Sequence, residues 1–241
     1  MLTEGTDMNI AKFAIVLSLF LSAQMAQAQE PTGNEPALKS IISDLNVIAE
    51  PLSNEVLSNG DVAVITGATC STMQVVRRNG IDKRVESLVK ESYPSEKEIA
   101  SLDRAEYIKF EERQLKKYGA TEKAVQLVNS KYDEYKSFPN TAPSSSGSLI
   151  EKTAVLEEIS CGVKEQNVTA SAETAPPEKA ELAKKLGLAV IGTAAIAVDA
   201  EAGLATGGTA GAVISGVSMG WGWNRIEDAF SYVKKVWSLW M

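Results

Sequence analysis

Residues 202–223 read Ala-Gly-Leu-Ala-Thr-Gly-Gly-Thr-Ala-Gly-Ala-Val-Ile-Ser-Gly-Val-Ser-Met-Gly-Trp-Gly-Trp, a stretch with no charge and seven glycines. Two rows of small residues run through it at four-residue spacing. One is Gly203, Gly207, Gly211 and Ser215; the other is Gly208, Ala212, Gly216 and Gly220. Positions four apart share a helix face, so each row makes a smooth groove where a second backbone can come close. A solvated loop has no need of so apolar a composition. The stretch therefore reads as a helix that packs against another helix or against lipid. The expected fold class is mainly α: a helical N-terminal domain, a C-terminal Gly/Ala-rich helical hairpin and a terminal amphipathic helix.

Upstream, Leu186–Val198 supplies 13 uncharged residues before Asp199 and Glu201 interrupt, and that interruption reads as the hairpin turn. Downstream, Asn224 and Glu227 are spaced as a helix cap and its partner. The final helix then carries Ile226, Phe230, Val233, Trp237 and Trp240 on one face. All four tryptophans (Trp221, Trp223, Trp237 and Trp240) fall in the last 21 residues.

Two physical readings compete for residues 186–241. In a bilayer, the two arms form a membrane hairpin, the tryptophans are candidates for the interface, and the last helix lies along the surface. In a soluble domain, the same hairpin is the buried centre. The first arm has the length of a core helix, and the second arm's side chains are too small to drive insertion by themselves. The paired small-residue rows resemble the glycine zippers of bacterial envelope proteins and, more loosely, the apolar hairpins of pore-forming bacteriocins. The resemblance covers about 40 of 241 residues and implies close helix packing in an envelope setting.

The opposite end of the chain bears on where this packing takes place. Residues 1–28 have the parts of a secretory signal: Lys12 as the basic region, apolar residues 13–21, and Ala26-Gln27-Ala28 as an A-x-A cleavage site. Glu4 and Asp7 would spoil the basic region, so Met8 is the expected true start. The expected location is the periplasm or cell envelope of a Gram-negative bacterium. In an oxidising compartment the only two cysteines, Cys70 and Cys161, favour a structural bridge. Two buried free thiols are the other reading, while a redox pair lacks the usual C-x-x-C spacing.

Composition removes much chemistry. The chain has no histidine, which excludes Ser-His-Asp and Cys-His catalysis and histidine-ligated zinc. Two cysteines cannot build a four-thiolate site. No Walker loop, dinucleotide fingerprint or EF-hand loop occurs. A formal net charge of −7 argues against a nucleic-acid face. No catalytic residue, metal site, cofactor or small-molecule substrate is expected. The carboxylate pairs left for an enzyme reading are Glu111-Glu112, Asp199/Glu201 and Glu227-Asp228, and of these Asp199/Glu201 stands out because it lies between two apolar arms.

Between the ends, the expected organisation is a charged helical domain over 29–136, a flexible linker over 137–148, a helix over 149–165 packed on the N-terminal domain, a second linker over 166–177, and the hairpin with its Trp-rich helix over 178–241. Leu38, Ile41, Ile42, Leu45, Ile48 and Ala49 follow helical spacing up to Pro51. Residues 62–66 fit either a strand or a buried helix start. Ser95 and Glu98 form a capping box for a helix expected to run to Tyr118 with Gly119 as its stop. A second charged helix covers about 121–135. Ser148 and Glu151 form another capping box.

The expected function is that of an exported, non-enzymatic envelope protein whose hairpin mediates membrane association or self-association, with lipid or further copies of the chain as partners through residues 186–241. The alternatives are a secreted membrane-permeabilising toxin or effector, and a soluble periplasmic helical protein with the hairpin as buried core.

Overall fold

In the computed structural model, residues 34–133, 147–165, 171–205 and 209–240 are described. The expected signal segment, most of the first expected linker and part of the second lie outside them. The described residues are mainly α, as expected, with Pro36–Met241 bounding one compact unit. The helices are α1 (Glu35–Ala49), α2 (Asn59–Arg78), α3 (Ile81–Ser92), α4 (Glu96–Ala100), α5 (Arg104–Lys117), α6 (Glu122–Asp133), α7 (Leu149–Glu165), α8 (Pro177–Ala205) and α9 (Thr209–Trp240).

Local chemistry explains most of the boundaries. Helix α1 buries Leu38, Ile41, Ile42, Leu45 and Ile48, the stripe its spacing predicts, and Pro51 opens a single 3-10 turn after it. Residues 62–66 are helical. Ser58 caps α2 by accepting from the Asp61 N–H at 3.0 Å, and Asp61 accepts from the Ser58 N–H at 2.9 Å. Asn59-Gly60-Asp61 is thus the first turn of a helix. The capping box at Ser95 is present, but the expected single helix is broken. Asp103 caps a new one by accepting from the Ala105 N–H at 2.8 Å. At its far end Gly119 takes a φ of 95°, a left-handed conformation that glycine adopts without the steric cost of a side chain.

The expected capping box at Ser148 is half met from elsewhere. Ser148 Oγ accepts from the Ile150 N–H at 3.2 Å, but the second acid is Glu86 of α3, which accepts from the Leu149 N–H at 2.9 Å and from the Ser148 hydroxyl. Burial opposes charge on Glu86, yet its bonds with Lys90 and Ser148 outweigh that and hold its pKa below the ordinary glutamate value.

The disulfide is formed, joining Cys70 of α2 to Cys161 of α7 across 91 residues with Cα atoms 4.9 Å apart. Arg77, two turns beyond Cys70 in α2, pairs with Glu157, one turn before Cys161 in α7. Part of the second linker is also fixed. The Asn59 N–H donates to the Glu173 carbonyl at 2.8 Å, Gly60 N–H to Ser171 at 3.0 Å, and Ala175 N–H to Leu57 at 2.9 Å, a short antiparallel pairing that holds the chain just ahead of α8.

The core lies along the C-terminal hairpin. Helices α8 and α9 pack on each other over most of their length, with α2, α3, α5 and α7 against their flanks. Every residue from Ala189 to Ala202 is buried. Two expectations fail here. Asp199 and Glu201 are not a turn: α8 runs through both to Ala205, because each acid finds a place inside the fold. Nor does a separate helix start at Asn224, since α9 is continuous from Thr209 to Trp240.

Candidate functional site

The small-residue rows are partly outside the described side chains. Gly207 and Gly208 lie outside the described residues, and the surroundings of Gly203 and Gly211 are not defined. Of the rest, Ala212 is exposed, whereas Ser215, Gly216 and Gly220 are buried. Their neighbour is not a second helix of the hairpin. A Cβ on Gly216 would come within 2.4 Å of Pro94, and one on Gly220 within 2.6 Å of the Tyr93 hydroxyl. The Tyr93-Pro94 loop, between α3 and α4, therefore seats in the groove these residues leave. The true crossing of the two arms is one that the four-residue rows miss. A Cβ on Gly192 would lie 2.6 Å from the Gly222 carbonyl, and one on Gly222 would lie 2.4 Å from the Gly192 carbonyl. Two backbones meet there because neither residue has a side chain.

Trp221 and Trp223 are 1% and 4% exposed, so neither sits at a membrane interface in this fold. Trp221 packs on Tyr132, ring centroids 4.1 Å apart. The Trp223 ring lies 5.7 Å from the ammonium of Lys152, itself buried and 3.3 Å from Glu227. Trp221 thus reaches α6 and Trp223 reaches α7. Trp237 and Trp240 lie on α9, but their side chains are outside the description. Among the described residues, no helix is long and apolar enough to cross a membrane.

A buried polar centre lies against the inner end of the hairpin. Glu111 and Tyr107, one turn apart on α5, face Asp199 of α8, Tyr132 of α6 and Ser218 of α9. All five are at most 2% exposed. The Tyr107 and Tyr132 rings meet edge to face at 5.0 Å, and the Tyr132 hydroxyl lies 3.3 Å from Ser218 Oγ. None of the four carboxyl oxygens of Glu111 and Asp199 makes a direct hydrogen bond of normal geometry, although the surrounding hydroxyls are near enough to act on their charge. Desolvation is the largest influence on both acids and raises both pKa values. Asp199 goes well above the ordinary aspartate value because the charge of Glu111 adds to burial. Burial and the same two acids push Tyr107 and Tyr132 well above the usual tyrosine value.

Asp199 and Glu201 are thus not a working pair. Two residues apart on α8, they point to different partners: Glu201 forms an ion pair with Arg84 of α3. The acid that does face Asp199 is Glu111, 88 positions away in sequence. One signal marks it. Tyr107, Phe110, Glu111 and Leu115 are the buried residues of α5, so Glu111 occupies a slot on an apolar stripe. Glu112, by contrast, accepts from Asn129 at 2.8 Å, and Asp228 pairs with Arg225 at 3.2 Å. Among the described residues, no three Cys, Asp or Glu side chains are grouped to hold a metal ion.

The class defined by these observations is a mainly α, disulfide-bridged protein built around a C-terminal helical hairpin. Compared with known protein families, curated proteins and solved structures, the chain matches none.

Proposed function

We infer that the chain is an exported, non-enzymatic helical protein of the bacterial envelope, in which the hairpin of residues 178–241 serves as the folding core and not as a free docking surface. The observation that carries this reading is occupancy. Two positions of one small-residue row are taken up within the chain, by Pro94 at Gly216 and Tyr93 at Gly220, and the two arms close on each other at Gly192 and Gly222. A non-catalytic role is supported by the enclosure of the one facing carboxyl pair, Glu111 and Asp199, each 0% exposed. A general acid or base must come within hydrogen-bond reach of its substrate. The signal-like residues 1–28 and the Cys70–Cys161 bridge support export.

The test is fractionation of the full chain produced in a Gram-negative host. The expected result is a chain shortened at Ala28, released by osmotic shock without detergent and monomeric on sizing. A pool that resists alkaline washing of membranes would overturn the core reading in favour of membrane association. Dye leakage from anionic vesicles that depends on residues 186–241 would favour the permeabilising reading instead.

A further inference from the structure

The centre around Glu111 and Asp199 does more than fill space. Two carboxyl groups lie together at 0% exposure, on helices from opposite parts of the chain, and no ion pair among the described residues reaches either of them. The groups facing them can be named helix by helix. Helix α5 contributes Tyr107, α6 contributes Tyr132, and α9 contributes Ser218 and the ring of Trp221. Three arginines have other partners: Arg84 of α3 pairs with Glu201, Arg225 of α9 with Asp228, its guanidinium 5.8 Å over Trp221, and Arg104 of α5 donates to the Tyr132 carbonyl at 2.6 Å. Two uncompensated negative charges cannot both persist in such a place, since each costs several kcal/mol to bury and they also repel. A carboxylic acid facing a carboxylate removes one charge and supplies a donor to the other. Tyrosine and serine hydroxyls are the surroundings that can bond to either form.

We propose that Glu111 and Asp199 hold one proton between them, and that this proton is a latch keeping α5 and α6 closed on the first arm of the hairpin. Removing the proton places a second charge at the α5–α8 contact and opens that contact. The hairpin flank from Asp199 toward Ala202 is then uncovered while the disulfide still holds α2 to α7. The latch goes beyond the envelope reading and does not depend on it.

The experiment is an infrared titration of the full chain, following the carbonyl stretch of protonated carboxyl groups from acid to alkaline pH. Amide exchange in α5 and α8 is measured in parallel. In the wild type the band should be present at neutral pH and disappear on alkalinisation, with protection of α5 and α8 falling over the same range. Glu111→Gln should move the surviving acid's midpoint downward, because the repelling neighbour is gone. The double substitution E111Q/D199N should abolish the band and make protection independent of pH in this range. Should these variants fail to fold, Ser218→Ala serves: loss of a hydroxyl that favours the charged forms should move the midpoint upward. A wild type without the band at neutral pH would overturn the proposal. So would a double variant that keeps it, a midpoint unmoved in both E111Q and S218A, or protection that ignores the titration.

Discussion

The Gly192–Gly222 crossing and the Glu111–Asp199 centre lie two turns apart on the same arm, about 10 Å along α8, and they solve burial in opposite ways. At the crossing the chain omits both side chains so that two backbones can touch. At the centre it keeps two of the most costly side chains to bury and surrounds them with hydroxyl groups. The first contact is indifferent to pH and intolerant of volume. The second should tolerate a shape-conserving change and respond to pH.

The strongest way to break the comparison is to add volume where it is excluded. Gly222→Val should cost about 3 kcal/mol or more in urea unfolding, because the new atoms meet the Gly192 backbone and Ile196 and neither can move aside. If it costs less than about 1 kcal/mol, the crossing is not close.

Next is Arg84→Ala, which leaves Glu201 buried without its cation. Breaking an enclosed pair costs about 3–5 kcal/mol; Arg84 is 29% exposed, so water softens the loss to about 2 kcal/mol. Urea midpoints of Arg84→Ala and the wild type, compared at neutral pH, check the loss.

The acid pair predicts a trend with pH. Its folded-state pKa values are raised, so between the ordinary carboxylate range, about pH 4, and those raised values the native state binds more protons than the unfolded one. Unfolding free energy must therefore fall as pH rises through that window. The contribution is complete below the unfolded pKa values and lost above the folded ones. Denaturant midpoints measured at several pH values should show this decline in the wild type and a flatter profile in E111Q/D199N. Glu86, with its lowered pKa, works the other way and gives up stability only as pH falls.

The smallest effect is a gain. Gly67 lies in α2, and a Cβ there would meet nothing within 4 Å, so Gly67→Ala should stabilise by about 0.5–1 kcal/mol. Thermal melts of G67A and G222V compare an open glycine with a closed one directly.

What could be read from the sequence follows the range of the physics. The α1 stripe, its Pro51 stop, the Ser95 cap and the Gly119 stop are set by neighbours a few residues away, and they appear where expected. The cysteine pair was legible because only two exist. Asp199 and Glu201 were misread because acids break a hydropathy run equally well at a turn or at a buried partner, and the partners, Glu111 and Arg84, are remote in sequence. The glycine rows had the right period, but periodicity does not say which neighbour fills a groove. Clustering alone makes the four tryptophans interface candidates; in the fold Tyr132 packs on Trp221 and Lys152 lies over Trp223.

One consequence of this architecture concerns time. The arms that make up the centre follow every other described helix in the sequence. Helices α2, α3, α5 and α7 each pack on these arms, which for α2 and α3 lie far along the chain. Contacts of such long sequence separation form slowly, whereas the α2–α7 contact and its disulfide lie wholly upstream of the hairpin. Closure of the hairpin against its flanking helices is therefore a late step of folding, and refolding should be slower than the helix content alone suggests.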